Sequence, residues 1–178
     1  MVLMGIVLAR AAALYDRPVG DDGRVKRKFA IQTQSYGPSA RGGHSKSDVR
    51  ISDTELLYPF VEIPDYLVVM SQQAYAKYIH DRRPDTKILI DPDLVSERPK
   101  GDLYLIPATK AAESMGTRIV SNVVMLSALR EISDLVSREA LEKALLETVP
   151  KVTHDLNKAA LELGAKLARD AVESRSKG

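Results

Sequence analysis

The sequence predicts an α/β domain, and three observations carry that reading. Short β-like runs alternate with helical stretches through the middle of the chain, the order of a sheet with helical crossovers. Residues 66–70 (YLVVM) are continuously apolar, as in a strand covered on both faces. From residue 118 onward the apolar spacing is helical, so the C-terminal third adds helices.

The elements follow in order. Residues 5–14 (GIVLARAAAL) are rich in alanine and leucine and read as a helix. It stops before Asp16-Arg17-Pro18, since Pro18 cannot continue it. Residues 1–15 are apolar apart from Arg10, too short a run to span a bilayer and lacking the basic start of a signal peptide. A buried helix of a cytoplasmic protein is expected. Residues 16–28 carry Gly20, Asp21, Asp22 and Gly23 and read as a mobile loop. A short strand is expected over residues 29–33. A second follows over 45–52, where Ser45, Ser47, Val49 and Ile51 alternate with Lys46, Asp48 and Arg50. Residues 55–58 read as a further short strand after the Asp53-Thr54 turn.

The run at 66–70 opens the parallel part. A helix is expected over 72–80, and strands over 87–90 and 103–106. Residues 118–132 form a helix with Ile119, Val123, Leu126 and Leu129 at helical spacing. A helix over 137–148 begins at Ser137, a good N-cap. The last helix starts at Pro150 and runs to about Val172, with Val152, Leu156, Ala159, Ala160, Leu163 and Leu167 on one face. Residues 1–172 are expected to be one domain and residues 173–178 a frayed polar tail.

The bulk numbers are those of an ordinary soluble domain: 178 residues, 44% hydrophobic, 28% charged, net charge +2. There is no cysteine, which excludes a disulfide, a catalytic thiol and a cysteine-ligated iron–sulfur cluster in this chain. His44, His80 and His154 are far apart and make no short metal-ligand spacing. No metal site, nucleic-acid signature or membrane segment is expected. From Arg24 to Arg50 the charges are Arg24, Lys26, Arg27, Lys28, Arg41, Lys46 and Arg50 against Asp48 alone. Such a segment either attracts an anion or an acidic surface, or is a solvated face.

Three places offer chemistry. The first is the loop Gln34-Ser35-Tyr36-Gly37-Pro38-Ser39-Ala40-Arg41-Gly42-Gly43. Its glycines let a backbone approach a ligand closely, successive N–H groups of such a loop can form an anion nest, and Arg41 offers a planar fork of donors for carboxylate or phosphate. It matches no nucleotide-binding motif, and a tight structural connector is the competing reading. The second is Thr109 with Lys110, directly after a strand, where open α/β sheets bind ligands. The competing reading is a helix-end threonine beside a surface lysine. The third is Asn122, in an otherwise apolar helix, which is expected to be hydrogen-bonded internally or to reach a loop or partner. No Ser/His/Asp arrangement or carboxylate pair is present, and no catalytic residue is assigned.

The segment QTQSYGPSARGGHSKSDVRIS, followed by YP and PDYLVVMS and then IPAT and SNVVMLSAL, resembles the gamma subunit of 2-oxoacid:ferredoxin oxidoreductases, more the 2-oxoglutarate type than the pyruvate type. The resemblance covers roughly residues 5–135. It implies a three-layer α/β/α domain with a mixed, mostly parallel sheet. It also implies a complex that converts a 2-oxoacid, coenzyme A and oxidised ferredoxin into an acyl-CoA, carbon dioxide and reduced ferredoxin. Thiamine diphosphate, magnesium and the iron–sulfur cluster would sit on partner subunits of alpha, beta and, where present, delta type, with ferredoxin an indirect partner. Ser35, Tyr36, Gly37, Arg41, Gly42 and Gly43 match the family loop, on the coenzyme A side of the site or at the subunit interface.

Three departures stand against the family pattern. Only Met1–Met4 precede Gly5, where a strand and a GxGGQG turn are expected, so the first strand is expected to be missing. A start upstream, a degraded chain and dependence on a partner are all consistent with that. Ser39 stands where glutamate is common, and the stretch from Asp16 to Lys28 is longer and more charged than usual. Outside this family, the residues also fit a stand-alone anion- or nucleotide-binding α/β module, or a purely structural assembly protein.

Overall fold

The computed structural model describes residues 2–14, 16–19, 24–27, 29–36 and 45–176. In chain order the strands are β1 (Asp16–Val19), β2 (Arg24–Arg27), β3 (Phe29–Tyr36), β4 (Ser45–Ser52), β5 (Tyr66–Val69), β6 (Lys87–Ile90) and β7 (Asp102–Leu105). The helices are α1 (Val2–Leu14), α2 (Gln72–Tyr78), α3 (Ala108–Ser114), α4 (Ser121–Ser133), α5 (Arg138–Leu146) and α6 (His154–Ser176). The chain divides into two units, Met1–Val61 with Asp134–His154, and Glu62–Ser133 with Asp155–Gly178.

In the first unit α1 lies against β3, β4 and α5. It buries Met4, Val7, Leu8, Ala11 and Ala12. Gly5 sets how close it comes: a Cβ there would lie 1.9 Å from Ser47 Oγ and 2.9 Å from Ser47 Cβ. Ser137 caps α5, its Oγ accepting from Ala140 N at 3.1 Å, and α5 buries Ala140, Leu141, Ala144 and Leu145. Arg10 Nη1 donates to Thr148 Oγ1 at 2.9 Å, and that hydroxyl donates to the Ala144 carbonyl at 2.7 Å.

Both sheets of this unit are antiparallel hairpins. β3 pairs with β4 from Phe29↔Ser52 to Tyr36↔Ser45. The strand expected over residues 29–33 is therefore longer, because cross-strand pairing carries it to Tyr36. β1 pairs with β2 from Asp16↔Arg27 to Val19↔Arg24, where a mobile loop was expected over 16–28. Polar composition misled there, since backbone pairing does not require apolar side chains. No strand forms at 55–58, which stays irregular.

The second unit is built on a three-stranded parallel sheet, ordered β5-β6-β7. α2 is the crossover between β5 and β6, capped by Ser71, whose Oγ accepts from Ala74 N at 3.2 Å. One core cluster joins Val69, Ala74, Ile79, Ile88, Ile90 and Val95. Leu89, which alternates with Ile88 and Ile90 along β6, is also buried. Thus the strand covered on both faces is β6. β5, expected to be that strand, pairs on one side only and is mostly half-buried.

α4 is buried almost all round, from Val123 through Leu129. Ile119 precedes it and is exposed. α6 starts after a 3-10 turn (Lys151–Thr153) and extends to Ser176, so helix replaces the tail expected from residue 173. Its buried residues are Asn157, Ala160, Leu161, Gly164, Ala165 and Ala168. The expected face was shifted: Val152 and Ala159 are exposed. Small residues are inside because α4 and α6 touch backbone to backbone. A Cβ on Gly164 would lie 2.1 Å from the Val124 carbonyl oxygen, and Ser127 Oγ donates to the Leu161 carbonyl. Arg175 pairs with Asp102 and stacks over the Tyr104 ring at 4.3 Å.

The α/β class stands, with parallel strands and long helices. The strands divide among three sheets rather than one.

Candidate functional site

The glycine-rich segment is the connector of the β3–β4 hairpin. Ser35 stands opposite Lys46 and Tyr36 opposite Ser45, the last pair before the connector. Ser35 is exposed. Gly37, Arg41, Gly42 and Gly43 lie outside the described residues, as do Pro38, Ser39, Ala40 and His44.

The hairpin beneath is held by polar side chains. Lys46 Nζ meets Asp48 Oδ2 at 2.9 Å, a pair two residues apart and so on one face of the strand. Gln32 Nε2 donates to Ser47 Oγ at 2.9 Å, under Gly5 of α1. Arg50 Nη1 donates to the Tyr58 carbonyl at 2.6 Å. Two cations of the basic segment, Lys46 and Arg50, are therefore engaged within the unit rather than standing as a bare solvated face.

The second place is the carboxyl end of β6, and a buried carboxylate fills it. Asp91 is fully buried. Its Oδ2 accepts from Thr109 N at 2.8 Å and from Thr109 Oγ1 at 2.7 Å, and its Oδ1 accepts from Asp93 N at 3.1 Å. Asp93 Oδ2 accepts from Lys110 N at 3.2 Å. α3 has no side-chain cap of its own, since Pro107 stands at its N-cap. Asp91 and Asp93 supply that cap across space, placing negative charge where helix N–H groups lack partners. Thr109 is thus buried against an anion of the chain itself, and the Lys110 side chain is exposed. Sequence reasoning passed over Asp91; the signal was Asp91-Pro92-Asp93 at a strand end.

Asn122 is the second residue of α4. Its Oδ1 is buried without a hydrogen-bond partner, against the expectation of internal satisfaction. Nearer the connector after β6, hydrogen bonds from Gln72 and Ser96 hold the exposed Glu97 carboxyl below its usual range. Ser35 and Tyr36 belong to the first unit, and Thr109, Lys110 and Asn122 to the second.

The chain has no cysteine for an iron–sulfur cluster. Among the described residues no three His, Asp or Glu side chains are placed to hold a metal ion. No helix among them is long and apolar enough to cross a membrane.

A family model described as pyruvate ferredoxin/flavodoxin oxidoreductase matches residues 25–167. The chain belongs to this family. The match spans the β3–β4 hairpin, Asp91, Thr109 and Asn122. The KorC subunit of 2-oxoglutarate synthase from Methanocaldococcus jannaschii is 46% identical over 175 residues, covering 96% of this chain and 88% of that protein. The gamma subunit of a keto/oxoacid ferredoxin oxidoreductase from Geobacter sulfurreducens has a TM-score of 0.77 at 37% identity, covering 96% of this chain and 92% of its own. A 2-oxoglutarate:ferredoxin oxidoreductase from Magnetococcus marinus, solved with 2-oxoglutarate, coenzyme A and succinyl-CoA bound, has a TM-score of 0.72 at 20% identity. It covers 95% of this chain, which matches 28% of that one. That last likeness is one of fold.

Proposed function

We propose that this chain is the gamma subunit of a 2-oxoglutarate:ferredoxin oxidoreductase. It carries no catalytic group and completes the coenzyme A side of the site together with the interface to neighbouring subunits. The observation that carries this is the 46% identity, sustained over 88% of a relative named as a 2-oxoglutarate synthase subunit. The partners are alpha- and beta-type subunits, with a delta type in complexes that have one, and they hold thiamine diphosphate, magnesium and the iron–sulfur cluster. Ferredoxin takes the electrons from them, and the whole complex works in the cytoplasm.

Within this chain the working element is the end of β3 with the connector that follows: Ser35 and Tyr36 of the strand, then Gly37, Arg41, Gly42 and Gly43. Arg41 grips either a phosphate of coenzyme A or a carboxylate of a neighbouring subunit, and the glycines let the backbone come close. Ordered polar contacts below the connector support this role, since Gln32, Ser47, Lys46 and Asp48 hold the strands that present it. Thr109, Lys110 and Asn122 are secondary positions. Of these, Asn122 has a side-chain oxygen, Oδ1, that is buried without a hydrogen-bond partner.

The two units act as one gamma-type domain, expected over residues 1–172 and extended by α6 to Ser176. Each is assembled from two separate stretches, so the chain passes between them at 61/62, 133/134 and 154/155. The test is co-expression with the thiamine-binding and ferredoxin-like subunits. Co-purification and ferredoxin reduction that requires both 2-oxoglutarate and coenzyme A are expected. A chain that stays alone, or a complex that turns over pyruvate but not 2-oxoglutarate, overturns the proposal.

A further inference from the structure

After β4 the chain leaves the hairpin in an irregular segment that is apolar on its outer side. Leu57, Tyr58 and Phe60 are exposed to 92%, 51% and 55%. Leu56, Pro59 and Val61, between and beside them, are partly buried. The segment is therefore anchored by one set of apolar residues and displays another. Arg50 Nη1 fixes it from β4 through the Tyr58 carbonyl at 2.6 Å. Thr54 N donates to Ser52 Oγ at 3.0 Å where the segment begins. The Tyr58 and Phe60 rings meet edge to face at 5.5 Å. Ile119 and Val152 are as exposed, but each stands alone in its stretch of chain. Three large apolar side chains within four residues, held in place, are a different matter: clustered exposed apolar surface marks a contact site, and tyrosine and phenylalanine are common interface anchors.

The charges around it say what covers it. Asp53 and Glu55 are exposed beside the cluster and Glu62 follows it in sequence, against the single cation Arg50, which is held on the Tyr58 carbonyl; no lysine or arginine occurs from residue 51 to 76. A complementary surface is an apolar pocket rimmed by basic residues. A second copy of this chain is poorly suited from the same hairpin, since Lys46 and Arg50 are engaged by Asp48 and by the Tyr58 carbonyl.

We propose that Leu57, Tyr58 and Phe60, flanked by Asp53 and Glu55, dock into a basic-rimmed apolar pocket on another subunit of the oxidoreductase complex. This rests on the gamma-subunit reading above. The test compares the unmodified chain with Leu57→Asp, Phe60→Ala and Glu55→Lys in binding to the co-expressed thiamine-binding and ferredoxin-like subunits. Leu57→Asp is expected to raise Kd by tenfold or more, on the order of an interface anchor. Glu55→Lys is expected to raise it about threefold at low salt and less at high salt. Thermal melting of the isolated Leu57→Asp chain should match the unmodified one, because the side chain is exposed; if that variant misfolds, Phe60→Ala decides. Unmodified affinity for all three variants, with an assembling parent, overturns this inference alone. A parent that does not assemble overturns the gamma-subunit reading and this inference with it. An isolated chain that forms a dimer broken by Leu57→Asp assigns the patch to a second copy and overturns the stated partner.

Discussion

The end of β6 and the strands of the β3–β4 hairpin satisfy their polar groups in different ways. At β6 the donors are the amide and hydroxyl of Thr109; at the hairpin the proposed donor, Arg41, lies outside the described residues. At β6 the anion is built in: Asp91 accepts from the amide and hydroxyl of Thr109 within 2.8 Å and is fully buried. The usual ligand position of an open α/β sheet is there closed by the protein's own carboxylate. At the hairpin the internal pairs, Lys46 with Asp48 and Gln32 with Ser47, lie along the strands below the connector. The difference teaches that donors at a strand end do not by themselves mark a site; what matters is whether the chain already supplies their acceptor.

Substitutions sharpen that contrast. The largest effect is expected from Asp91→Ala, which strips a buried partner from Thr109 and Asp93; loss of about 3 kcal/mol in urea unfolding is expected. A loss below about 0.5 kcal/mol would mean that the end of β6 is open to a ligand after all. Gly164→Ala comes next. Its Cβ would stand 2.1 Å from the Val124 oxygen, so α4 and α6 must separate, at a cost of about 2 kcal/mol. Gly5→Ala is milder, about 1 kcal/mol, since the 1.9 Å contact is to Ser47 Oγ, which can turn away, and the 2.9 Å contact to Ser47 Cβ asks only a small shift of α1 from β4. Because Gly5 presses on the hairpin and not on β6, its loss should raise the KM of the assembled complex for coenzyme A. Ser47→Ala in the same chain should recover part of the stability.

Much of the fold is legible in the sequence. The strands at 45–52, 66–69 and 87–90 and the Ser137 cap follow from alternation, apolar runs and capping chemistry. What escaped has physical reasons. The face of α6 was assigned through Val152, Leu156, Ala159, Ala160, Leu163 and Leu167; Ala160 is buried as expected, and the close helix crossing adds Gly164, Ala165 and Ala168. The β1–β2 hairpin was hidden by its charge, since backbone pairing does not require apolar side chains. At the site, the loop was found by its glycines and Arg41. Asp91 was not: Thr109, its partner, stands eighteen residues away, and the local sign, Asp91-Pro92-Asp93 at a strand end, does not reveal that pairing. Residues 55–58, with Leu57 and Tyr58, were read as a strand, since apolar residues look alike in sequence whether they are buried or exposed.

The central claim is that the hairpin connector works on coenzyme A or on a neighbouring subunit through Arg41. It is tested most directly by Arg41→Ala in the reconstituted complex, with the KM for each substrate and the assembly state measured together. Loss of one charge-assisted contact predicts a rise of about tenfold or more in the KM for coenzyme A, or a matching loss of subunit affinity, with the KM for 2-oxoglutarate unchanged. Unchanged assembly together with unchanged KM for both substrates would contradict the account.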